Sequence, residues 1–361
     1  MLRSMTTELT RERFAKLQEL LDRRSLTGRW LVLTHDNPDP DSLAAAAALA
    51  TLLRKRFLRR VTIAYGGIIG RAENQQMVRT LDLPVSHIRR LNWKRYSHFA
   101  LVDCQPQTGN NQFPDTMKPD LVFDHHPIRR VTREAHFADI RTDYGATATI
   151  LAEYLLEAEI EISRANATAL LYAIVTETQN LSREYSTADR VIHDHLLPLA
   201  DLRALGKIQS PPLSLAYFHT LRRAVERMQT VSTLVISHLG PVEQPDIVPE
   251  VADLLLRLEK KTWSLCTGTY QGRLYLSMRT TNPRGDAGRL MRRLLGQRGK
   301  GGGHGMIAGG WVGIEGLENG KIENLQSRFA IRLATMLKKN PDRLQPIDWS
   351  TIVEEEPEET K

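Results

Sequence analysis

Short apolar runs alternate with helical patterns through the first half of the chain, and this alternation constrains the fold more than any other feature. The run WLVLT (30–34) has the length and composition of a buried strand, and SLAAAAALATLLRKR (42–56) has those of a helix. Further strands are predicted at 60–65, 98–104 and 119–124, and further helices at 146–159, 166–177 and 187–201. Strands that are apolar almost throughout are buried on both faces. The sequence therefore predicts an α/β fold with a parallel sheet and helices on both of its faces.

The pattern changes after residue 201. Residues 202–230 are basic and helical in spacing, which predicts a linker helix. Beyond them lie three strand-like and three helical stretches, at 233–239, 262–271, 273–280, 248–260, 286–297 and 324–339. These predict a second, smaller α/β domain, in which glycines interrupt the regular structure over 301–311. The predicted organisation is a larger domain over 1–201, the linker helix over 202–230, the smaller domain over 231–342 and a disordered acidic tail over 343–361.

The composition narrows the kinds of site and partner. The chain has 361 residues and a formal net charge of +7, which favours an anionic partner. Its two cysteines, Cys104 and Cys266, are far apart and follow no metal-binding spacing, so a metal here would need oxygen and imidazole ligands. We find no apolar run of the ~18–20 residues that span a bilayer and no secretory pattern at the start, so we expect a cytoplasmic protein without a membrane partner.

Side chains of metal-binding type follow three of the predicted strands, at the point where each strand ends. They are His35, Asp39 and Asp41 after the strand at 30–34, Asp103 at the end of the strand at 98–104, and Asp124, His125 and His126 at the end of the strand at 119–124. Because the carboxyl ends of parallel strands share one edge of a sheet, we expect these side chains to converge. Mixed Asp/His ligands suit Mn²⁺, Mg²⁺, Co²⁺ or Fe²⁺, and two such ions about 3.5–4 Å apart are a usual device for phosphoryl hydrolysis.

Each of these residues alone has a plainer explanation. Asp39 or Asp41 could be a turn residue or a helix cap, Asp103 could be a cap, and the adjacent histidines could belong to a polar loop. Pro38 and Pro40 make the first segment an irregular turn, which can aim its two carboxylates at two neighbouring ions. The recurrence of such side chains at three strand ends favours a metal centre over the separate explanations.

The order and separation of these residues resemble the DHH phosphoesterases, a family named after Asp-His-His. Its motifs are matched, in chain order, by His35-x-x-x-Asp39-x-Asp41, by Asp103 and by Asp124-His125-His126. The stretch that usually reads Thr-Asp-Thr-Gly aligns with Thr176-Glu177-Thr178-Gln179. The smaller domain resembles the associated DHHA1 domain, through Arg279 after a strand and through Gly301, Gly302, Gly303 and His304 followed by Ala308-Gly309. The resemblance covers roughly residues 20–340 and is nearest to the stand-alone oligoribonuclease/pAp phosphatase branch.

The resemblance implies a role for each matched residue. One metal would be held by His35, Asp39 and Asp103, and the other by Asp41, Asp103, His125 and Glu177, with Asp103 bridging. Asp124 would orient imidazoles, His126 would face the substrate phosphate and assist the leaving group, and a bridging water would be the nucleophile. Arg279, the three glycines and His304 would hold the distal phosphate or nucleotide. Two departures matter: Glu177 replaces the usual aspartate, and Gln179 replaces the usual glycine.

The implied function is that of a two-metal phosphoesterase. It would hydrolyse phosphodiester or phosphomonoester bonds of small nucleotides, such as short oligoribonucleotides, pAp or linear dinucleotides, with Mn²⁺ favoured over Mg²⁺ or Co²⁺. Three alternatives stay open: a cyclic-dinucleotide phosphodiesterase, an inorganic polyphosphate or pyrophosphate hydrolase, and a non-catalytic nucleotide sensor in which Glu177 impairs one metal site. The expected partner is a small nucleotide or short single-stranded RNA, and a homodimer is expected from the family likeness alone.

Overall fold

The computed structural model describes residues 5–23, 28–182 and 184–349, apart from the side chains of Arg23 and His304. The chain divides into two compact units, with the boundary between Pro212 and Leu213. Among the described helices, none is both long enough and apolar enough to cross a membrane.

The N-terminal unit alternates strands and helices, as the sequence predicts. Its helices are α1 (Glu8–Arg23), α2 (Pro40–Lys55), α3 (Ala72–Thr80), α4 (Thr147–Glu157), α5 (Arg164–Glu177), α6 (Thr187–Leu196) and α7 (Leu202–Gln209). Its strands are β1 (Arg29–Leu33), β2 (Arg60–Tyr65), β3 (Val85–His87), β4 (His98–Val102), β5 (Leu121–Asp124) and β6 (Phe137–Ile140). They form one parallel six-stranded sheet in the order β3-β2-β1-β4-β5-β6. The α/β class is thereby confirmed.

Alternate residues of β1 pack on opposite faces of this sheet. Trp30 and Val32 join a core formed with the α-helices of the unit, in which the alanine-rich α2 is buried along most of its length. Leu31 and Leu33 join a second core on the other face. That second core contains side chains from 88–99 and 104–113, a region with two short 3₁₀ turns. Turns and loops therefore cover most of this face of the sheet, where the sequence predicted helices.

The segment predicted as one linker helix over 202–230 contains two helices. Helix α7 ends at Gln209, and the next helix, α8 (Leu215–Glu226), begins after Pro211-Pro212. A proline lacks the N–H that a helix interior needs and disfavours helical geometry in the residue before it, so the pair ends α7. The boundary between the units therefore falls inside the predicted linker.

The C-terminal unit is a seven-stranded sheet in the order β11-β12-β10-β9-β8-β7-β13. Its strands are β7 (Gln229–Val231), β8 (Leu234–Pro241), β9 (Trp263–Tyr270), β10 (Arg273–Thr280), β11 (Gly299–His304), β12 (Ile307–Gly313) and β13 (Gln345–Pro346). Its helices are α8, α9 (Ile247–Leu255), α10 (Ala287–Leu295) and α11 (Asn319–Met336). Only β8 and β9 are paired in parallel. Helices α10 and α11 pack on one face, and α8 and α9 on the other.

Two expectations for this unit are corrected. Residues 301–311, predicted to interrupt regular structure, lie in the hairpin of β11 and β12, because main-chain pairing needs no side chains and glycines allow the close approach of α10. The predicted tail begins too early: Gln345–Pro346 pair with β7, and Ile347 contributes to the core on the α8 and α9 face. Residues 350–361, the rest of that tail, lie outside the described residues.

Candidate metal centre

The carboxyl edge of the larger sheet collects the side chains expected there. The strand order places β1 beside β4, where the direction of winding reverses, and open parallel sheets bind ligands beside such a reversal. Two groups of side chains at this edge have ligand atoms within 4.8 Å of one another, His35–Asp39–Asp103 and Asp103–His125–His126. Asp103 is common to both groups. The structure thus brings together side chains from the ends of β1, β4 and β5.

His35 and His125 share one tautomer when neutral. Nδ1 of His35 donates to the carbonyl of Asp36 at 2.9 Å, and Nδ1 of His125 donates to the carbonyl of Tyr144 at 3.1 Å. Because a carbonyl only accepts, each Nδ1 carries the proton and each Nε2 keeps its lone pair. This is the arrangement that metal-binding histidines adopt, with the second nitrogen tied to a carbonyl or carboxylate.

Both Nε2 atoms are directed at Asp103. Nε2 of His35 lies 3.5 Å from Oδ2 of Asp103 and 3.4 Å from Oδ2 of Asp39, and Nε2 of His125 lies 3.7 Å from Oδ1 of Asp103. Burial disfavours a charge on His35, but Asp39 and Asp103 outweigh it and raise the pKa of that imidazole well above its usual value. A cation that binds here therefore competes with a proton for Nε2 of His35.

Asp39 and Asp41 are positioned by two different helices. Asp39 is the N-cap of α2 and accepts a hydrogen bond from the N–H of Ser42 at 2.9 Å. Asp41, which the sequence places at a cap of this helix, instead accepts from the N–H groups of Thr147 and Ala148 at 2.8 and 2.7 Å. These belong to the first turn of α4, which has no capping side chain of its own. Asp41 therefore joins the starts of two helices.

Asp103 has an unusual backbone and a buried carboxylate. Its φ of 57° lies in the left-handed region, which aspartate tolerates better than most residues but which still costs conformational energy. Its N–H donates to the carbonyl of Phe123 at 2.8 Å, and its Oδ1 accepts from Oγ1 of Thr147 at 3.0 Å. Strain of this kind accumulates at functional sites, where the surrounding contacts impose it.

The carboxylate of Asp124 binds His126 and neighbouring protein groups, which suits the orienting role predicted for it. Its Oδ1 accepts from Nδ1 of His126 at 2.9 Å and from the N–H groups of His125 and His126, and its Oδ2 accepts from Nε2 of Gln105 at 2.7 Å. Burial opposes a charge on His126, but Asp124 and Asp103 outweigh it and raise the pKa of its imidazole to about 9. Without a bound cation, these carboxylates therefore favour the protonated form of His126, whose side chain is 44% exposed.

Glu177 is the last residue of α5 and belongs to the same cluster electrostatically. Burial and the negative charges of Asp39, Asp41 and Asp103 raise the pKa of Glu177 to about 8, although His125 lowers it. The pKa of Asp41 is raised as well, by burial and by Asp103 and Asp39. Carboxyl groups whose pKa values are raised by one another are groups that a cation stabilises.

The backbone after Glu177 keeps the shape that glycine prefers. Gln179, which stands where the resemblance has glycine, has a φ of 48°, and Asn180 and Leu181 follow with φ of 57° and 56°. The left-handed region is open to glycine and costly for glutamine. The replacement of glycine has therefore left a left-handed turn in place.

The donor set at this edge fits divalent cations. It offers the carboxylates of Asp39, Asp41, Asp103 and Glu177 and the Nε2 atoms of His35 and His125. Oxygen and imidazole ligands with this excess of negative charge suit Mn²⁺, Mg²⁺, Co²⁺ or Fe²⁺. Which of these residues hold a metal, and how many ions they hold, stay predictions.

Arg279, a predicted substrate-binding residue of the C-terminal unit, already forms an ion pair within the protein. Arg279, only 9% exposed in its side chain, pairs through Nε with Asp253 at 2.6 Å, and its Nη1 donates to Oγ of Ser277 at 2.8 Å. This ion pair offsets part of the charge expected to bind an anion. Its Nη2 has no hydrogen-bond partner within the described residues and is the nitrogen left for a ligand.

The three predicted glycines differ in their surroundings. A Cβ on Gly301 would meet Leu295 at 2.5 Å, and one on Gly303 would meet the carbonyl of Ile307 at 2.2 Å, so both are required by packing. A Cβ on Gly302 would meet only a guanidinium nitrogen of Arg292, at 4.0 Å. Gly302 is therefore the glycine of the three with an open face. His304 is the last residue of β11, and its side chain lies outside the described part of the chain.

The sequence did not predict the residues that form hydrogen bonds to the potential ligands and orient them. Thr147 supports Asp41 and Asp103, Tyr144 fixes His125 through its carbonyl, and Gln105 fixes Asp124. The segment Gly145-Ala146-Thr147 leads into the first turn of α4, where the N–H groups of Thr147 and Ala148 donate to Asp41. A small-residue segment at the start of a helix was the one available signal, and by itself it is not specific.

Comparisons with known proteins assign the class of this domain. Residues 29–174 match the family described as "DHH family, N-terminal domain". This part of the chain is therefore a DHH-family N-terminal domain, and the resemblance drawn from the motifs is confirmed there. The narrower assignment to the oligoribonuclease/pAp phosphatase branch stays a prediction, as does the DHHA1 likeness of the C-terminal unit.

Two relatives match different shares of this chain. An uncharacterized protein of Methanocaldococcus jannaschii is 34% identical over 276 residues, which are 76% of this chain and 56% of that protein. A probable manganese-dependent inorganic pyrophosphatase of Listeria welshimeri is 27% identical over 176 residues, 48% of this chain and 56% of that protein. This chain thus spans little more than half the length of these relatives.

A solved structure shares the fold. The crystal structure of an exopolyphosphatase-related protein from Bacteroides fragilis matches 91% of this chain and 98% of its own, with a TM-score of 0.65 and 12% sequence identity. At that identity the likeness concerns the fold alone.

Proposed function

We propose that this protein is a phosphoesterase that depends on divalent cations and hydrolyses phosphodiester or phosphomonoester bonds of small nucleotides. The observation that carries the proposal is the relation of His35 and His125 to Asp103: each Nδ1 is tied to a backbone carbonyl, and the Nε2 atoms approach the two oxygens of one carboxylate. The DHH-family match over residues 29–174 supports the same conclusion.

The proposed ligands divide into two sets that share Asp103. His35 and Asp39 would complete one set, and Asp41, His125 and Glu177 the other. Cations bound there would neutralise phosphate charge and provide a nucleophilic water at neutral pH. The hydrogen bonds of Asp41 to the start of α4 and of Asp39 to Ser42 keep these carboxylates in place before a cation binds. We infer Mn²⁺ as the preferred ion, because the Listeria relative is named as manganese-dependent.

His126 is proposed to act on the substrate. Its Nδ1 donates to Asp124, and the family resemblance directs its ring toward the substrate phosphate. Although burial opposes a charge on the ring, the hydrogen bond to Asp124 raises its pKa and favours its protonated form, which would bring a positive charge and a proton. The charge would bind the phosphate, and the proton could pass to the leaving oxygen. Asp124 and Gln105 hold the ring in this orientation.

The C-terminal unit is proposed to bind the far end of the substrate. Nη2 of Arg279 and the open face of Gly302 beside Arg292 are the groups proposed to contact an anion. Gly301 and Gly303 contribute by keeping β11 close to its neighbours, and His304 completes the set by resemblance.

A substrate panel tests the proposal. Short oligoribonucleotides, pAp, linear and cyclic dinucleotides, and inorganic pyrophosphate would each be incubated with the protein and Mn²⁺ or Mg²⁺. We expect hydrolysis of a linear nucleotide in the panel, loss of that activity in Asp103→Asn, and its retention in Asp143→Asn, which changes an exposed aspartate outside the cluster. No metal-dependent turnover of any phosphoester, or equal rates in wild type and Asp103→Asn, would refute the proposal.

Inorganic pyrophosphate hydrolysis is the second candidate. The Listeria relative, a probable inorganic pyrophosphatase, matches 48% of this chain. Pyrophosphate has no nucleoside, however, so it would leave the proposed groups of the C-terminal unit without a ligand of matching size. Faster turnover of pyrophosphate than of any nucleotide in the panel would favour this candidate.

A further inference from the structure

A hollow of about 410 Å³ lies at the same edge of the sheet as the candidate metal centre, beyond the ends of β2 and β3. Its walls include Tyr65 and His87, the last residues of those strands, together with Ile69, Val78 and Arg79. The hollow is broadly open to solvent, so it would enclose only part of a ligand. None of the residues assigned to the metal centre or to substrate binding lines it.

The walls of this hollow are fastened to the segment that carries His35 and Asp39. The N–H of Asn37 donates to the carbonyl of Gly66 at 3.1 Å, and Oδ1 of Asn37 accepts from the N–H of Ile68 at 2.8 Å. Contact is so close at Gly66 that a Cβ there would lie 1.8 Å from Oδ1 of Asp36. The hollow therefore keeps a defined position relative to the candidate metal centre.

Most polar side-chain atoms of His87 and Gln75 in the hollow already form hydrogen bonds within the protein. Nε2 of His87 donates to the carbonyl of Gly67 at 3.1 Å and its Nδ1 accepts from the N–H of Arg89, so what this ring offers a ligand is its face. Tyr65 meets it edge to face, with ring centroids 5.4 Å apart. The hydroxyl of Tyr65 has no hydrogen-bond partner within the described residues, and the guanidinium of Arg79 bonds through Nη2 to Gln75.

These groups fit a flat aromatic ring with polar substituents at its edge. Because the rings of Tyr65 and His87 are nearly perpendicular, the face of one of them would stack on such a ring, and the aliphatic side chains of Ile69 and Val78 would contact it as well. The Tyr65 hydroxyl and the Arg79 guanidinium would reach its edge. No carboxylate lines the hollow among the described residues, so it does not suit a cation. Bases stack on aromatic side chains with little dependence on sequence.

The distance across the sheet matches a nucleotide. Neighbouring strands lie about 4.8 Å apart, so β3 is about 10 Å from β1. A nucleotide whose phosphate lies beyond β1 and β4 can therefore place its base beyond β2 and β3. We infer that this hollow binds the nucleobase of the nucleotide whose phosphate occupies the candidate metal centre, an inference that rests on the proposed function.

Equilibrium binding tests this inference with adenosine 5′-monophosphate and inorganic phosphate as probes, in the presence of Mn²⁺. Val78→Phe fills the hollow, Tyr65→Ala removes a ring from it, and Val191→Phe, at an exposed valine of α6, is the matched control. We expect the first two variants to bind adenosine 5′-monophosphate about 10-fold more weakly and phosphate within about 2-fold of wild type, because one base–ring stacking interaction has about this value. The control should bind both probes like wild type.

A second measurement locates the base directly. Photo-crosslinking with 8-azidoadenosine 5′-monophosphate should label peptides from residues 65–87, and Val78→Phe should suppress this labelling, whether or not the protein hydrolyses any substrate. Labelling confined to other peptides, or equal weakening of both probes in Tyr65→Ala and Val78→Phe, would overturn the inference. Failure of the proposed function would be separate: labelling of 65–87 and preference for the nucleotide would persist while the substrate panel showed no turnover.

Discussion

Oγ1 of Thr147 donates a hydrogen bond of 3.0 Å to Oδ1 of Asp103, between two residues that are 44 positions apart and both buried. The same threonine donates its N–H to Asp41. One residue at the start of α4 thus supports two carboxylates of the candidate metal centre, and its side chain contacts the carboxylate shared by both groups of potential ligands.

Removal of this hydroxyl should weaken metal binding without removing a ligand. In Thr147→Val the N–H to Asp41 remains, whereas Asp103 loses a donor and gains freedom to rotate. We expect a loss of about 10-fold or more in Mn²⁺ affinity, the usual effect of removing a group that orients a ligand. Titration calorimetry with Mn²⁺ measures it. Thr147→Ser keeps the hydroxyl and should restore most of the affinity, and equal affinities in Val and Ser variants would contradict this role.

Asp103→Asn should have opposite effects on stability with and without metal. Without metal, it removes one of the negative charges that raise the pKa of Asp41 and Glu177, so the melting temperature should rise. A gain of about 1 kcal/mol corresponds to about 2–4 °C for a unit of the size of Met1–Pro212. Saturating Mn²⁺ should stabilise the wild type and leave the variant almost unchanged.

Differential scanning fluorimetry with and without Mn²⁺ measures both effects, and Asp143→Asn is the control at an exposed aspartate. A metal-free variant less stable than wild type would mean that the hydrogen bonds of Asp103 outweigh its repulsion from the other carboxylates.

The convergence of the site was predictable because it depends on rules that the sequence displays directly. Strand periodicity located the ends of β1, β4 and β5, and the ends of parallel strands share one edge. His35, Asp39, Asp103 and His125 were found in this way. The short strands β3 and β6, of three and four residues, were missed because VSH and FADI are too brief and too polar for a periodic signal.

Contacts between distant segments could not be predicted in the same way. Asp41 caps α4 through residues more than 100 positions away, and Arg279 pairs with Asp253 on a different element. Each contact depends on how helices pack on a sheet, which residue patterns do not specify. The linker prediction failed for a local reason that was visible in the sequence, since Pro211-Pro212 interrupts the helical spacing.

Gln179→Gly should stabilise the N-terminal unit. The φ of 48° at Gln179 costs a non-glycine residue about 1–2 kcal/mol, and the greater freedom of glycine in the unfolded chain offsets about 0.4–1 kcal/mol of the relief. We expect the free energy of unfolding in urea to rise by up to about 1 kcal/mol. Gln179→Ala retains the strain and should give no gain. A loss of stability in Gln179→Gly would mean that contacts of the glutamine side chain compensate for its backbone.

His238 should make the C-terminal unit less stable in mild acid. Burial, reinforced by Arg227, lowers the pKa of this imidazole to about 4, and its Nδ1 lies 2.8 Å from Oγ1 of Thr267, which also accepts from Gln326. In the unfolded chain the pKa returns to about 6.5, so the unfolded state takes up the proton first as the pH falls. Stability should therefore be complete above about pH 6.5 and decrease toward pH 4, by about 3 kcal/mol in total.

Urea unfolding of the whole protein at intervals from pH 4 to pH 8 measures this loss. In His238→Gln, which cannot titrate, the curve should be flatter by that amount. Contributions from the carboxylate cluster of the N-terminal unit remain in both curves and cancel in their difference. Parallel curves for wild type and His238→Gln would show that His238 takes up its proton equally in the folded and unfolded states.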